Sequence, residues 1–318
     1  MTRRTWVTAA ALLAAACRAA PIPADATYPA VTPFRAQYRV VDGTRLRMID
    51  TGRGAPVVFI HGFGASLYSW RKTLPPVAAA GYRVIAFDNR GFGFSDKPAG
   101  QEAYGNAAYV RLVVALLDSL GAASAVLVGH SMGGAIAAEV ALAHPDRVRG
   151  LVLIDAAGYG IRFPEVLKVA RWPGVGAVAT WFRGRWITGR LLRSTYADPG
   201  KVSEADVDQY YAPVPDGSYG SALRGVLRQF RFDTLAGRLG AIEAPVLVVW
   251  GAADRWIPLR DGSRLASDLP RAGFVVVPNA GHAAAEEAPD EVNRLLLAFL
   301  KDGLPRIPEN VAWETGKR

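Results

Sequence analysis

The chain has 318 residues, of which 51% are hydrophobic, enough for one large domain or one domain carrying an inserted subdomain around a sizeable core. Lysine and arginine outnumber aspartate and glutamate 37 to 28, a net charge of +9. These cations are mostly arginines dispersed along the sequence, with no basic block interleaved with aromatics and no zinc or helix-turn-helix signature. That pattern excludes a nucleic-acid partner and leaves anionic surfaces and acidic substrates open.

The first residues read as an export signal. Arg3 and Arg4 form a basic start, and the apolar run from Trp6 to Cys17 is too short to span a bilayer. Thr2-Arg3-Arg4-Thr5-Trp6-Val7 resembles a twin-arginine export motif. Cys17 is the single cysteine and follows Leu13-Ala14-Ala15-Ala16. Two outcomes fit: a lipoprotein site, with Cys17 lipidated as the first mature residue, or an ordinary signal-peptidase site that leaves no cysteine. Both place the protein outside the bacterial cytoplasm, either periplasmic or extracellular, or membrane-anchored through Cys17. Residues 1–17 are then a signal peptide, and 18–30, with Pro21, Pro23 and Pro29, a linker.

From there the pattern becomes regular. Gln37–Val41 and Thr44–Asp50 alternate around Asp42-Gly43, a hairpin signal. Continuous apolar runs predict strands covered on both faces at Pro56–Ile60, Arg83–Phe87, Ala125–Val128, Gly150–Ile154, Val246–Trp250 and Phe274–Val277. Helical stretches lie between them: Leu74–Ala80, Ala107–Leu120, Ala135–Ala143, Gly262–Leu269 and Pro289–Leu300. Strand–helix alternation of this kind specifies an α/β fold, a mostly parallel sheet with helices on both faces.

One long interval, 159–235, breaks the alternation. It concentrates Trp172, Trp181, Phe182, Trp186, Tyr196, Tyr210, Tyr211 and Phe230, and carries helical periodicity without a buried strand. So long a structureless loop is not expected inside a compact domain, so the interval reads as a helical lid. The core is then 31–158 and 236–304, followed by a C-terminal tail at 305–318. The lid is expected to set substrate range, and the core the chemistry.

Gly129-His130-Ser131-Met132-Gly133 has the G-x-S-x-G pattern between a strand and an alanine-rich helix. A serine on so tight a turn is held in a strained backbone conformation, with its hydroxyl exposed at the sheet edge. A serine hydroxyl near neutral pH needs a base. Of the four histidines, His282 follows the last strand and can reach the same edge as Ser131. The base in turn needs a carboxylate to fix its tautomer. Asp254 and Asp155 both follow strands, and chain position favours Asp254, one strand before the histidine. An oxyanion needs two backbone N–H donors. These are expected from Met132, opening the helix, and from Phe63 in the loop His61-Gly62-Phe63-Gly64.

With these residues in hand, the sequence resembles the α/β-hydrolase superfamily over nearly all of 36–302. The resemblance rests on His61–Gly64, Asp88-Asn89-Arg90-Gly91-Phe92-Gly93-Phe94-Ser95, Gly129–Gly134, Asp254 and Gly281-His282, with the order Ser, Asp, His. It implies an eight-stranded sheet with a lid after the sixth strand. The segments HGFGASLYSW and NRGFGFSDKP are similar to the epoxide-hydrolase and haloalkane-dehalogenase branch, whose aspartate nucleophile is here Ser131. Serine-nucleophile relatives include carboxylesterases, lactonases, cofactor-free perhydrolases and C–C bond hydrolases of ring-cleavage products. The expectation is a carboxylic-ester hydrolase needing no metal or cofactor, acting on a small or medium acyl compound. C–C bond hydrolysis is the alternative within the enzymes, and a non-catalytic binding protein the alternative outside them.

Overall fold

A computed structural model describes residues 33–163 and 184–303. The expected leader at 1–17 with Cys17, the expected linker at 18–30 and tail at 305–318, and Trp172, Trp181 and Phe182 of the expected lid lie outside the described residues.

Asp42 and Gly43 both take positive φ, 47° and 67°, the backbone twist that a two-residue hairpin requires. Across this turn β1 (Gln37–Val41) pairs with β2 (Thr44–Thr51), Val41 opposite Thr44. Strand β2 then pairs antiparallel with β4 (Arg83–Phe87). The remaining strands run parallel to β4: β3 (Pro56–Ile60), β5 (Ala125–His130), β6 (Val148–Ile154), β7 (Val246–Gly251) and β8 (Ala272–Val277). The eight strands lie in the order β1-β2-β4-β3-β5-β6-β7-β8.

The continuous apolar runs are explained by two-sided burial. Val58, Ile60, Ile85, Leu127, Leu151 and Val248 enter one core, together with α2 (Asn106–Ser119) and α3 (Met132–Ala143). Val57, Phe59, Val84, Val128, Val152 and Val249 enter the other. That second core also takes in α1 (Leu74–Ala79) and, late in the chain, Pro289–Asp302.

Between β6 and β7 the described residues contain three α-helices and no strand: α4 (Arg185–Ser194), α5 (Glu204–Tyr211) and α6 (Tyr219–Gln229). Buried polar contacts hold this insertion to the core. Asp206 accepts from Tyr68 Oη at 2.9 Å and from Arg71 Nη2 at 2.7 Å, and Arg71 also pairs with Glu286. The chain continues through α7 (Leu259–Asp268), the short α8 (Ala284–Glu287) and α9 (Pro289–Asp302). No helix among the described residues is long and apolar enough to cross a membrane.

The sequence places the helix after β5 three residues late, at Ala135. Strand β5 runs to His130 and α3 begins at Met132, so Ser131 alone makes the turn.

Candidate active site

Ser131 sits at φ 52°, ψ −117°, outside the helix and strand regions. A non-glycine residue held there stores about 1–3 kcal/mol of strain, which persists only where the surroundings over-determine it. They do. Its N–H donates to Ile154 O at 3.1 Å, and its carbonyl accepts from Ala157 N at 3.0 Å. The flanking glycines are sterically required. A Cβ on Gly133 would lie 2.0 Å from Ile60 O, and one on Gly129 2.3 Å from Gly133 O. Helix α3 therefore packs directly on the end of β3, which brings the loop after β3 beside the serine.

His282 and Asp254 arrive at the same edge from the loops after β8 and β7. His282 Nε2 is 2.9 Å from Ser131 Oγ, and its Nδ1 is 2.8 Å from Asp254 Oδ2. The Asp254 side chain is fully buried, and its other oxygen accepts from the N–H groups of Trp256 (2.7 Å) and Ile257 (2.9 Å). A carboxylate fixed on one side by two backbone donors presents the other oxygen to imidazole in one orientation. With Nδ1–H donating to it, Nε2 is the acceptor facing the hydroxyl. That tautomer can take the serine proton.

Asp155, the rival acid, does not reach the histidine. It is fully buried at φ 46°, and its oxygens accept from Gly251 N (2.7 Å) and Ala284 N (3.3 Å). Burial, and then the charge of Asp254, pushes its carboxyl well above the ordinary aspartate range. It ties β6 to the ends of the two loops that carry Asp254 and His282.

Two other histidines order the neighbourhood. His61 donates from Nδ1 to Gly62 O (2.7 Å) and accepts from Asn89 N at Nε2 (2.8 Å), so it is neutral, and burial holds its pKa down. This fixes the loop carrying Phe63 to the Asp88–Ser95 loop. A Cβ on Gly62 would lie 2.9 Å from His130 Nδ1 and 3.1 Å from Ser131 Cβ, so any larger residue would have to displace the nucleophile turn for that loop to approach so closely. Met132 is the first residue of α3, where a backbone N–H lacks an intrahelical acceptor and the helix dipole favours negative charge. The two expected oxyanion donors thus sit on segments packed against the nucleophile turn. His130 donates from Nε2 to His282 O at 2.7 Å, and burial followed by the neighbouring His282 lowers its pKa to about 3.

Aromatic rings wall the site. Trp256 stacks on the His282 imidazole, with planes 6° apart and centroids 5.6 Å apart. Phe63 meets Phe92, Phe163 and Phe232 at 5.6, 5.4 and 6.3 Å. Sequence reasoning passed over Trp256, whose only signal was its place two residues after Asp254. Among the described residues no group of three His, Cys, Asp or Glu is placed to hold a metal ion.

The family model for the alpha/beta hydrolase fold matches residues 55–289. The chain belongs to the α/β-hydrolase superfamily. It is 32% identical over 282 residues to the 2-hydroxy-6-oxo-6-phenylhexa-2,4-dienoate hydrolase of Burkholderia cepacia, covering 81% of this chain and 92% of that one. The solved structure of the meta-cleavage product hydrolase of Pseudomonas fluorescens IP01 superposes with a TM-score of 0.73 at 28% identity, covering 84% and 97%. A bacterial membrane phospholipase A superposes with a TM-score of 0.72, also at 28% identity, covering 94% of this chain and 98% of that one. Such relatives make this α/β hydrolase a hydrolytic enzyme by family.

Proposed function

We propose that this α/β hydrolase is a serine hydrolase. Ser131 attacks a carbonyl carbon, His282 accepts the serine proton and returns it to the leaving group, and Asp254 orients and stabilises the imidazolium. The N–H groups of Phe63 and Met132 hold the oxyanion. Water then attacks the acyl-enzyme, gives its proton to His282, and frees Ser131. The observation that carries the reading is the unbroken relay from Ser131 Oγ through His282 to Asp254, at 2.9 and 2.8 Å.

The relatives reorder the expectation drawn from sequence. The curated relative and the solved meta-cleavage product hydrolase described above both favour C–C cleavage over ester cleavage. We therefore put first the C–C bond beside a ketone in a ring-cleavage-type diketone. A carbon leaves with its electron pair only when a conjugated carbonyl takes up that pair, so the substrate must carry one. The aromatic walls suit an aryl ketone on the acyl side. Ester cleavage is the second reading, favoured by the membrane phospholipase A, whose structure matches over 94% of this chain. There His282 protonates an alkoxide.

The test compares an aryl vinylogous 1,5-diketone with a p-nitrophenyl ester series. A kcat/KM for the diketone at least about tenfold above the best ester supports C–C cleavage. The reverse order gives the reaction to esters.

We also propose that the protein is exported and anchored through lipidated Cys17, the support being the basic start, the short apolar run and the unique cysteine. Acyl chains contribute about 0.8 kcal/mol per buried CH₂, so several chains give lasting attachment. Fractionation of a bacterium expressing the full chain should find it in the membrane, and Cys17→Ala should release it. Equal release of both forms would remove the anchor, and an uncleaved chain in the cytoplasm would remove export as well.

A further inference from the structure

Two adjacent buried carboxylates, Glu286 and Glu287, follow the histidine loop, and neither enters the chemistry above. Glu286 has an evident task, since it pairs with Arg71 and accepts from Tyr210 Oη. Glu287 is different. Its side chain is fully buried, yet among the described residues the nearest cation, Lys201 Nζ, stands 4.0 Å away. Backbone N–H groups surround it instead. Oε2 accepts from Gly281 N (2.7 Å) and Ala197 N (2.8 Å), and Oε1 from Asp198 N (2.8 Å). A buried carboxylate satisfied this way is a rigid clamp, because backbone donors cannot swing away as a lysine can.

The two segments it clamps are unrelated in sequence. One is the inserted segment just after α4, and the other carries His282. They also touch directly: Ala283 N donates to Thr195 O at 3.1 Å. Gly281 is held so close that a Cβ there would lie 2.5 Å from Thr195 O and 2.6 Å from Ala197 N. Three consecutive backbone positions are therefore pinned around the imidazole. Gly281 N–H is held by Glu287, His282 C=O by His130 Nε2 (2.7 Å), and Ala283 N–H by Thr195.

We propose that Glu287 is a positioning residue for His282, and that residues 195–198 of the insertion form part of that histidine's seat. The proposal rests on His282 being the general base. It divides the insertion in function, for a segment assigned by sequence to substrate range also determines turnover. Because the reacting atoms must meet within a few tenths of an ångström, small shifts of a catalytic group cost rate steeply.

Glu287→Gln tests it. The amide turns a donor toward at least one of three N–H groups and loosens the clamp without changing the substrate walls. The expected result is a kcat lower by about 10- to 100-fold with KM within about twofold, and a parallel slowing of Ser131 labelling by a fluorophosphonate. Asp206→Asn is the comparison, because it weakens the other anchor of the insertion without touching 281–283. It should lower the unfolding midpoint and leave kcat within about twofold.

A Glu287→Gln protein that is merely less stable, with wild-type kcat per labelled site, overturns the proposal. Should that variant not fold, Glu287→Asp decides: it keeps the charge but shortens the reach. The same selective loss of kcat in it supports the role, and wild-type kcat overturns it. Ser131→Ala separates the two levels. Activity surviving in that variant defeats the serine reading, whereas wild-type kcat in the Glu287 variants beside an inactive Ser131→Ala defeats only the positioning role.

Discussion

Replacing Ser131 by alanine should lower kcat by about 10⁶-fold while leaving a folded protein, and His282→Ala should do the same. The first half follows from the chemistry proposed for the site, where no other hydroxyl stands at hydrogen-bond distance from His282 Nε2 in the described residues. The second follows from the structure. The Ser131 backbone is held by Ile154 O and Ala157 N, and among the described residues its hydroxyl hydrogen-bonds to His282 alone. Alanine adopts the same strained φ no less easily than serine, so the turn survives the loss of the oxygen. The double variant should be scarcely worse than either single one, because groups acting as a unit fail together. Rates would be followed by burst and steady-state kinetics, and folding by circular dichroism. A folded Ser131→Ala enzyme retaining more than about one-hundredth of the wild-type rate would sink the nucleophile assignment.

Local features carried most of the fold into the sequence. The Asp42-Gly43 turn and the uniformly apolar strands are legible because hairpin twist and two-sided burial impose residue types directly. The nucleophile turn was legible for the same reason, since Gly129 and Gly133 answer steric demands of atoms a few residues away or on one neighbouring strand. The tight, strained turn was legible with it, but its boundaries were not: β5 runs to His130 rather than Val128, and the helix starts at Met132 rather than Ala135. What escaped the sequence is non-local. Glu287 meets Ala197 and Asp198 across 90 and 89 residues, and no periodicity encodes that pairing. Its one trace was a pair of acids in an alanine-rich run. The tautomers of His61 and His130 are likewise set by carbonyls and N–H groups that only the fold assembles. The bond cleaved was beyond the sequence motifs altogether, because a serine nucleophile, a histidine base and two oxyanion donors can serve ester and C–C cleavage alike.

The choice between Asp254 and Asp155 shows where chain position ends and geometry takes over. Asp254→Asn should reduce kcat by about 10⁴-fold, the scale of the same replacement in serine proteases. The wild-type Oδ1 accepts from two backbone donors, Trp256 N and Ile257 N. In asparagine the carbonyl oxygen must stay on those donors, or two N–H groups would face an NH₂. The amide nitrogen then points at His282 Nδ1, which has to become an acceptor. The ring proton moves to Nε2, opposite Ser131 Oγ, and the imidazole can no longer take the serine proton. Asp155→Asn should behave differently, with kcat held within about tenfold. Burial and the charge of Asp254 raise the pKa of its carboxyl, so the fold disfavours the charged form, and asparagine is a neutral replacement of the same shape that can keep the 2.7 Å contact to Gly251 N. The sign of the pH effect follows. A carboxyl whose pKa is raised by folding contributes stability below its unfolded value and loses that contribution as pH climbs toward the folded one. Asparagine cannot ionise, so any stability deficit of Asp155→Asn should shrink as pH rises above about 4. Denaturant titrations at several pH values, beside kcat for both variants, read out both halves. A collapse of kcat in Asp155→Asn with Asp254→Asn nearly intact would transfer the acid's role to Asp155.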